Sequence, residues 1–169
     1  MRNVFIGVEV SSDLKMAAKI ALCFEDGIRI SYSIKPRKPV DISAVEGGRD
    51  AEDVALLVDA LINHDDIQLV SEHPNADARL LKILLQASHL RMPKREIADI
   101  DEILRLECVS LYDLDLPEDE VDVEIRHVIA RAKDNLRGTS DDTHGALAKA
   151  KRLSELLTET KRLVDERLS

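Results

Sequence analysis

Met16–Ile34, MAAKIALCFEDGIRISYSI, is the stretch that decides the fold. Two β-rich apolar runs, Met16–Phe24 and Ile28–Ile34, flank Glu25-Asp26-Gly27. An Asp-Gly pair between such runs predicts a hairpin, because Gly takes the positive φ a tight turn needs. Upstream, Val4–Val10 (VFIGVEV) reads as a further strand, with a break at Ser11–Asp13. Three consecutive strands predict an antiparallel meander. Pro36 and Pro39 then stop regular structure, and a loop runs to Gly47-Gly48.

Beyond that loop the periodicity changes. Val54, Leu57, Val58, Leu61 and Ile62 recur at helical spacing, predicting a helix over Ala51–Asn63 with Asp50 as N-cap. Ile67–Ser71 reads as a short buried strand. Pro74 opens a helix over Asn75–Ser88, whose apolar face is Leu80, Leu81, Leu84 and Leu85. Glu96–Ile100 reads as another short strand, with a helix from Asp101 to about Leu106. Tyr112–Asp122 is acidic, contains Pro117 and reads as a loop. A helix is predicted over Val121–Leu136, a polar loop over Gly138–Asp142, and a long closing helix over His144–Leu168. A meander followed by strand–helix alternation predicts one α/β domain, with helices on both faces of a mixed sheet.

Composition narrows the function. The chain has 169 residues, 44% hydrophobic and 34% charged, which fits a single soluble domain with a real core. Its aromatic rings are Phe5, Phe24, Tyr32 and Tyr112, so platforms for base stacking are scarce. A net charge of -9 argues against tight passive binding to nucleic acid, although a local basic patch is compatible with it. Cys23 and Cys108 match no zinc spacing and read as packed thiols. No apolar run is long enough for a signal peptide or a membrane span, which places the chain in the cytoplasm.

Four segments, in order, resemble the DnaQ-like (DEDDh) 3′-5′ exonucleases, which have a ribonuclease-H-like fold. The family ends its first strand with Asp-x-Glu-Thr. Here Glu9 matches the Glu, Gly7 stands at the Asp, and Val10 replaces the Thr. The segment Ile34–Val54 resembles the family's Pro-rich turn and His-Gly, with Glu46 for the His and Gly47 matching the Gly. Leu69–Leu81 resembles its His-Asn-Ala-x-Phe-Asp: Asp77 matches the Asp, while Glu72 and His73 replace His-Asn and Ala76 replaces Phe. Downstream, Ala98–Leu104, which carries Asp99 and Asp101, resembles the family's following strand, which commonly holds an Asp of structural rather than metal-binding role. Finally Thr143–Ala150 resembles His-x-Ala-x-x-Asp-Ala; His144, Ala146 and Ala150 match, and Lys149 stands at the Asp.

The resemblance implies phosphodiester hydrolysis from a 3′ end. Two divalent metals about 4 Å apart would clamp the attacking and leaving oxygens, held by four carboxylates. A mobile His would act on the water. This chain keeps Glu9 and Asp77 as possible ligands and His144 as a possible base, whether residual or vestigial. It lacks a ligand at Gly7 and carries an ammonium at Lys149. Taken without the resemblance, Glu9 is an exposed strand residue, Asp77 a helix-start acid and His144 a surface or capping group. Asp99, Asp141 or Asp142 could in principle substitute as ligands.

The expectation is therefore a non-catalytic module that binds a protein partner or a nucleic-acid 3′ end, with no cofactor. The alternative is an active exonuclease with a rearranged site using Mg²⁺ or Mn²⁺. A third reading is another ribonuclease-H-like protein with Glu9 as its single first-strand acid. If the site is vestigial, Lys149 should pair with Glu9 or Asp77. The double change Gly7→Asp with Lys149→Asp should then rebuild a metal-responsive site.

Overall fold

The computed structural model describes residues 1–10, 17–35, 48–86, 88–114, 116–137 and 145–169. The expected breaks and loops at Ser11–Asp13, Pro36–Gly47 and Gly138–Asp142, and the candidate residues Glu46, Asp141, Asp142 and His144, lie outside them. The elements are β1 (Arg2–Val10), β2 (Ala17–Phe24), β3 (Arg29–Ser33), α1 (Ala51–Ile62), β4 (Ile67–Ser71) and α2 (Pro74–Gln86). They continue with β5 (Ala98–Asp99), α3 (Ile100–Glu107), a 3-10 turn (Val109–Asp113), α4 (Glu118–Asn135) and α5 (Ala146–Leu168).

The sheet order is β3-β2-β1-β4-β5. β1, β2 and β3 form the antiparallel meander, with Cys23 opposite Arg29 in the hairpin. At its tip the Gly27 amide donates to the Phe24 carbonyl at 2.9 Å, and Gly27 has φ of 87°. The predicted Asp-Gly turn is thus present, with glycine at the left-handed position. β4 and β5 join parallel to β1.

Alternation along the strands makes two cores. Val4, Ile6 and Val8 with Ile20, Leu22, Phe24 and Leu69 face α1 and α2. Phe5, Ala21, Cys23 and Val70 face α3, α4 and α5. Helices therefore cover both faces of a ribonuclease-H-like mixed sheet. Both cysteines are buried and free; burial, reinforced by Glu107, pushes the Cys108 thiol up to about 11.

The structure corrects two expectations. Residues 112–122 are not one acidic loop. Tyr112 and Asp113 close the 3-10 turn, and Glu118, Asp119 and Glu120 form the first turn of α4. Acids suit that turn because its amides lack intrahelical acceptors and the helix dipole is positive there. Asp50 does precede α1, but its carboxylate makes no capping bond; it lies 3.9 Å from Lys35 Nζ. The cap expected there is found instead on α3, where Asp99 accepts from the Asp101 amide at 2.8 Å.

The end of α2 is a Schellman turn. Leu90 N donates to Leu85 O at 3.0 Å and His89 N to Gln86 O at 3.2 Å. His89 occupies the left-handed position usually filled by glycine, with φ of 56°.

Candidate functional site

The site forms where the C-terminal end of β1, the first turn of α2 and the first turn of α5 meet. Glu9 is presented by β1, two residues after Gly7 and on the same face. Asp77 follows β4 by one turn of α2. Its amide donates to the His73 carbonyl at 3.0 Å. Lys149 lies on the first turn of α5, its amide bonded to the Gly145 carbonyl at 3.1 Å.

The Lys149 charge reaches Asp77, and each carboxylate has its own protein partner. Lys19 stands directly across the β1–β2 ladder from Glu9, and its Nζ is 3.4 Å from Glu9 Oε2. Beyond that ion pair, Glu9 Oε2 is buried with no hydrogen-bond donor among the described residues. Asp77 accepts a 2.5 Å bond from the buried Ser71 hydroxyl, which in turn accepts from the His73 amide at 2.8 Å. Burial raises the Asp77 pKa; the Ser71 bond and the Lys149 charge oppose that shift without cancelling it.

Lys149 departs from expectation. It pairs with neither Glu9 nor Asp77. Its Nζ donates to the Val8 carbonyl at 3.4 Å, and its charge acts on Asp77 from there. The residue is exposed. Sequence reasoning missed Lys19 as the cation beside Glu9. Cross-strand pairing of opposite charges is its signal, but the register that sets Lys19 opposite Glu9 is written in neither strand's own sequence.

Gly7 departs further. A Cβ built there would lie 2.0 Å from the Ala146 carbonyl oxygen and 3.1 Å from the Ala150 amide nitrogen. The neighbour is helix main chain, which has no rotamer by which to withdraw. Gly7 faces Ala21 across the ladder, and Ala146 and Ala150 are one helical turn apart on α5. Four small residues thus let the backbone of α5 rest on the sheet. The expected Gly7→Asp, Lys149→Asp reconstruction is therefore overturned: position 7 has no space for a carboxylate.

The described residues do not fit a two-metal centre. Gly7 is covered by helix main chain, Glu9 and Asp77 are engaged by Lys19 and Ser71, and Asp99 caps α3. No cluster of three or more His, Cys, Asp or Glu side chains suited to a metal occurs among the described residues. What remains are two carboxylates, Glu9 and Asp77, and two ammonium groups, Lys19 and Lys149, with Lys19 on Glu9 and the Lys149 charge on Asp77. No described helix is long and apolar enough to cross a membrane.

The chain matches no protein-family profile and no curated protein. Among solved structures it resembles the zinc-ion-bound form of the E. coli ExoI–ssDNA complex, with a TM-score of 0.58 and 13% identity. The match covers 98% of this chain and 40% of that one, so the chain spans less than half of that protein's length. The likeness is one of fold: an exonuclease-like, ribonuclease-H-like sheet and helices.

Proposed function

We propose that this chain is a DnaQ-like exonuclease-fold module that does not hydrolyse phosphodiesters and works by binding. The observation that carries this reading is the seat of α5 on Gly7. A first-strand carboxylate is central to the two-metal clamp, and here helix backbone lies over its position. The partners of Glu9 and Asp77 support the same reading, because a metal would have to displace Lys19 and break the Ser71 bond. The exonuclease-like fold favours a nucleic-acid ligand, as in the ssDNA complex of the structural neighbour.

The competing reading is an active 3′-5′ exonuclease with a rearranged Mg²⁺ or Mn²⁺ site. It rests on Glu9, Asp77 and His144 being kept. The separating test uses 3′-labelled single-stranded DNA and RNA with Mg²⁺ or Mn²⁺, alongside His144→Ala. The expected result is no hydrolysis above a metal-free control. Hydrolysis that disappears in His144→Ala would establish the competing reading.

A further inference from the structure

Between Asp77 and Glu96 the chain carries Arg79, Lys82, Arg91, Lys94 and Arg95 and no acid, in a protein of net charge -9. All five cations are exposed. On α2 the exposed positions Asn75, Arg79, Lys82 and Gln86 follow one another at helical spacing and form a stripe without negative charge. Past Gln86, the Schellman turn at His89 redirects the chain into a loop that carries the remaining three cations.

That loop is anchored. Ser88 Oγ donates to the Glu52 carbonyl at 2.9 Å, and Gln68 Nε2 donates to the Glu96 carbonyl at 2.8 Å. Leu90 and Met92 pack onto the core under it. Many cations elsewhere on the surface are matched, among them Arg2 with Asp26, Lys133 with Asp101, Arg162 with Glu159 and Arg167 with Glu124. Those without an ion pair among the described residues, such as Arg29, Arg105 and Arg152, are scattered rather than consecutive along an acid-free stretch. None of the five cations in this segment has an ion-pair partner among the described residues.

We propose that the exposed stripe of α2 and the loop after it bind the phosphate backbone of duplex nucleic acid, by charge and without reading bases. This deepens the binding-module reading by naming the ligand class, but it uses a different surface. Arg95 contacts the Met1 sulfur at the start of β1, whereas Glu9 lies at its far end, roughly 25 Å away at strand rise.

An acidic protein partner fits less well. Protein interfaces are built around apolar and aromatic anchors, and no large apolar side chain described between residues 78 and 96 is exposed. The segment also has no Phe, Tyr or Trp ring for stacking single-stranded bases. Phosphates need neither feature. The 13-residue α2 is about 20 Å long, and a duplex presents one phosphate per strand about every 3.4 Å along such a face. Four or five contacts give weak binding, with log K falling by about 4 per tenfold rise in salt.

The test is fluorescence anisotropy of a labelled mixed-sequence DNA duplex with the full chain in EDTA, across a salt series. Arg91→Glu with Lys94→Glu is compared with Arg105→Glu with Arg126→Glu, which makes the same charge change on the α3–α4 side. Circular dichroism and melting confirm that both variants fold. The expected result is low-salt binding with that slope, weakened at least about tenfold in the first variant and only a few-fold in the second. Absence of binding by the native chain at low salt, equal losses in both variants, or stronger binding to polyglutamate or phosphatidylserine vesicles would overturn the proposal. Sizing the DNA after Mg²⁺ addition keeps the readings apart. Shortened strands contradict the non-catalytic reading alone, and lost binding contradicts this inference alone.

Discussion

Gly7→Ala should destabilise the protein by about 3 kcal/mol or more, although it adds one methyl group. In a chain of this size the melting temperature falls by roughly 6–12 °C. The reason is the 2.0 Å approach to the Ala146 carbonyl oxygen. Either α5 lifts from the sheet, or β1 shifts and breaks its ladders with β2 and β4. Lifting α5 opens the core beneath Leu153, Leu157 and Val164, which are buried with Phe5 and Cys23. Gly7→Asp adds a carboxylate to the same clash and should be worse. Mg²⁺ or Mn²⁺ should not restore it, alone or combined with Lys149→Asp, since metal stabilises a fold only where the folded state presents a site. Thermal melting with and without metal reads this directly. A Gly7→Ala protein that melts with the native one would show that α5 does not press on β1.

Ser71→Ala should give the second largest effect, a loss of about 1–3 kcal/mol from removing one hydroxyl. The Ser71 Oγ donates to Asp77 and accepts from the His73 amide, so its loss strips two groups at once. Asp77 also sets a pH dependence. Burial raises its folded-state pKa above the ordinary carboxylate value. The folded protein therefore holds that proton more tightly than the unfolded chain. The contribution of Asp77 is most favourable in acid and declines as pH rises from the ordinary carboxylate value through the raised one. Asp77→Asn keeps an acceptor for Ser71 and carries no charge, so it should remove that decline and melt relatively higher at neutral pH. Urea denaturation of both proteins from pH 3 to 7 checks the sign. An unchanged difference across that range would show that Asp77 titrates normally.

Much of the fold was legible because its local signals are strong. Asp26-Gly27 announces the hairpin, and Val54, Val58 and Ile62 announce α1. Ile67–Ser71 is apolar with short polar flanks, and Ala150, Leu153, Leu157 and Val164 mark α5. The start of α4 was not legible, because Glu118–Glu120 looks the same as a solvated acidic loop until the helix amides they serve are known. β5 is two residues long and held by neighbouring strands, so it carries little signal of its own.

Less of the candidate site was legible. Spacing to a family pattern pointed to Glu9, Asp77 and Lys149; of these, Lys149 acts on Asp77 and donates to the Val8 carbonyl next to Glu9. It also cast Gly7 as a lost ligand and Lys149 as a replacement ion. A lone glycine inside a strand is itself a sign of close backbone approach, and Ala146 with Ala150 supplies the matching small face. Which helix comes down on that glycine depends on tertiary packing, as does the placement of Lys19 opposite Glu9.

If helix main chain over Gly7, Lys19 beside Glu9 and Ser71 on Asp77 leave no place for metal, calorimetric titration of the native chain with Mn²⁺ should find no site. The expected heats are small and unsaturated at neutral pH, and unchanged in Glu9→Gln or Asp77→Asn. A tight two-site isotherm that either substitution abolishes would contradict that expectation.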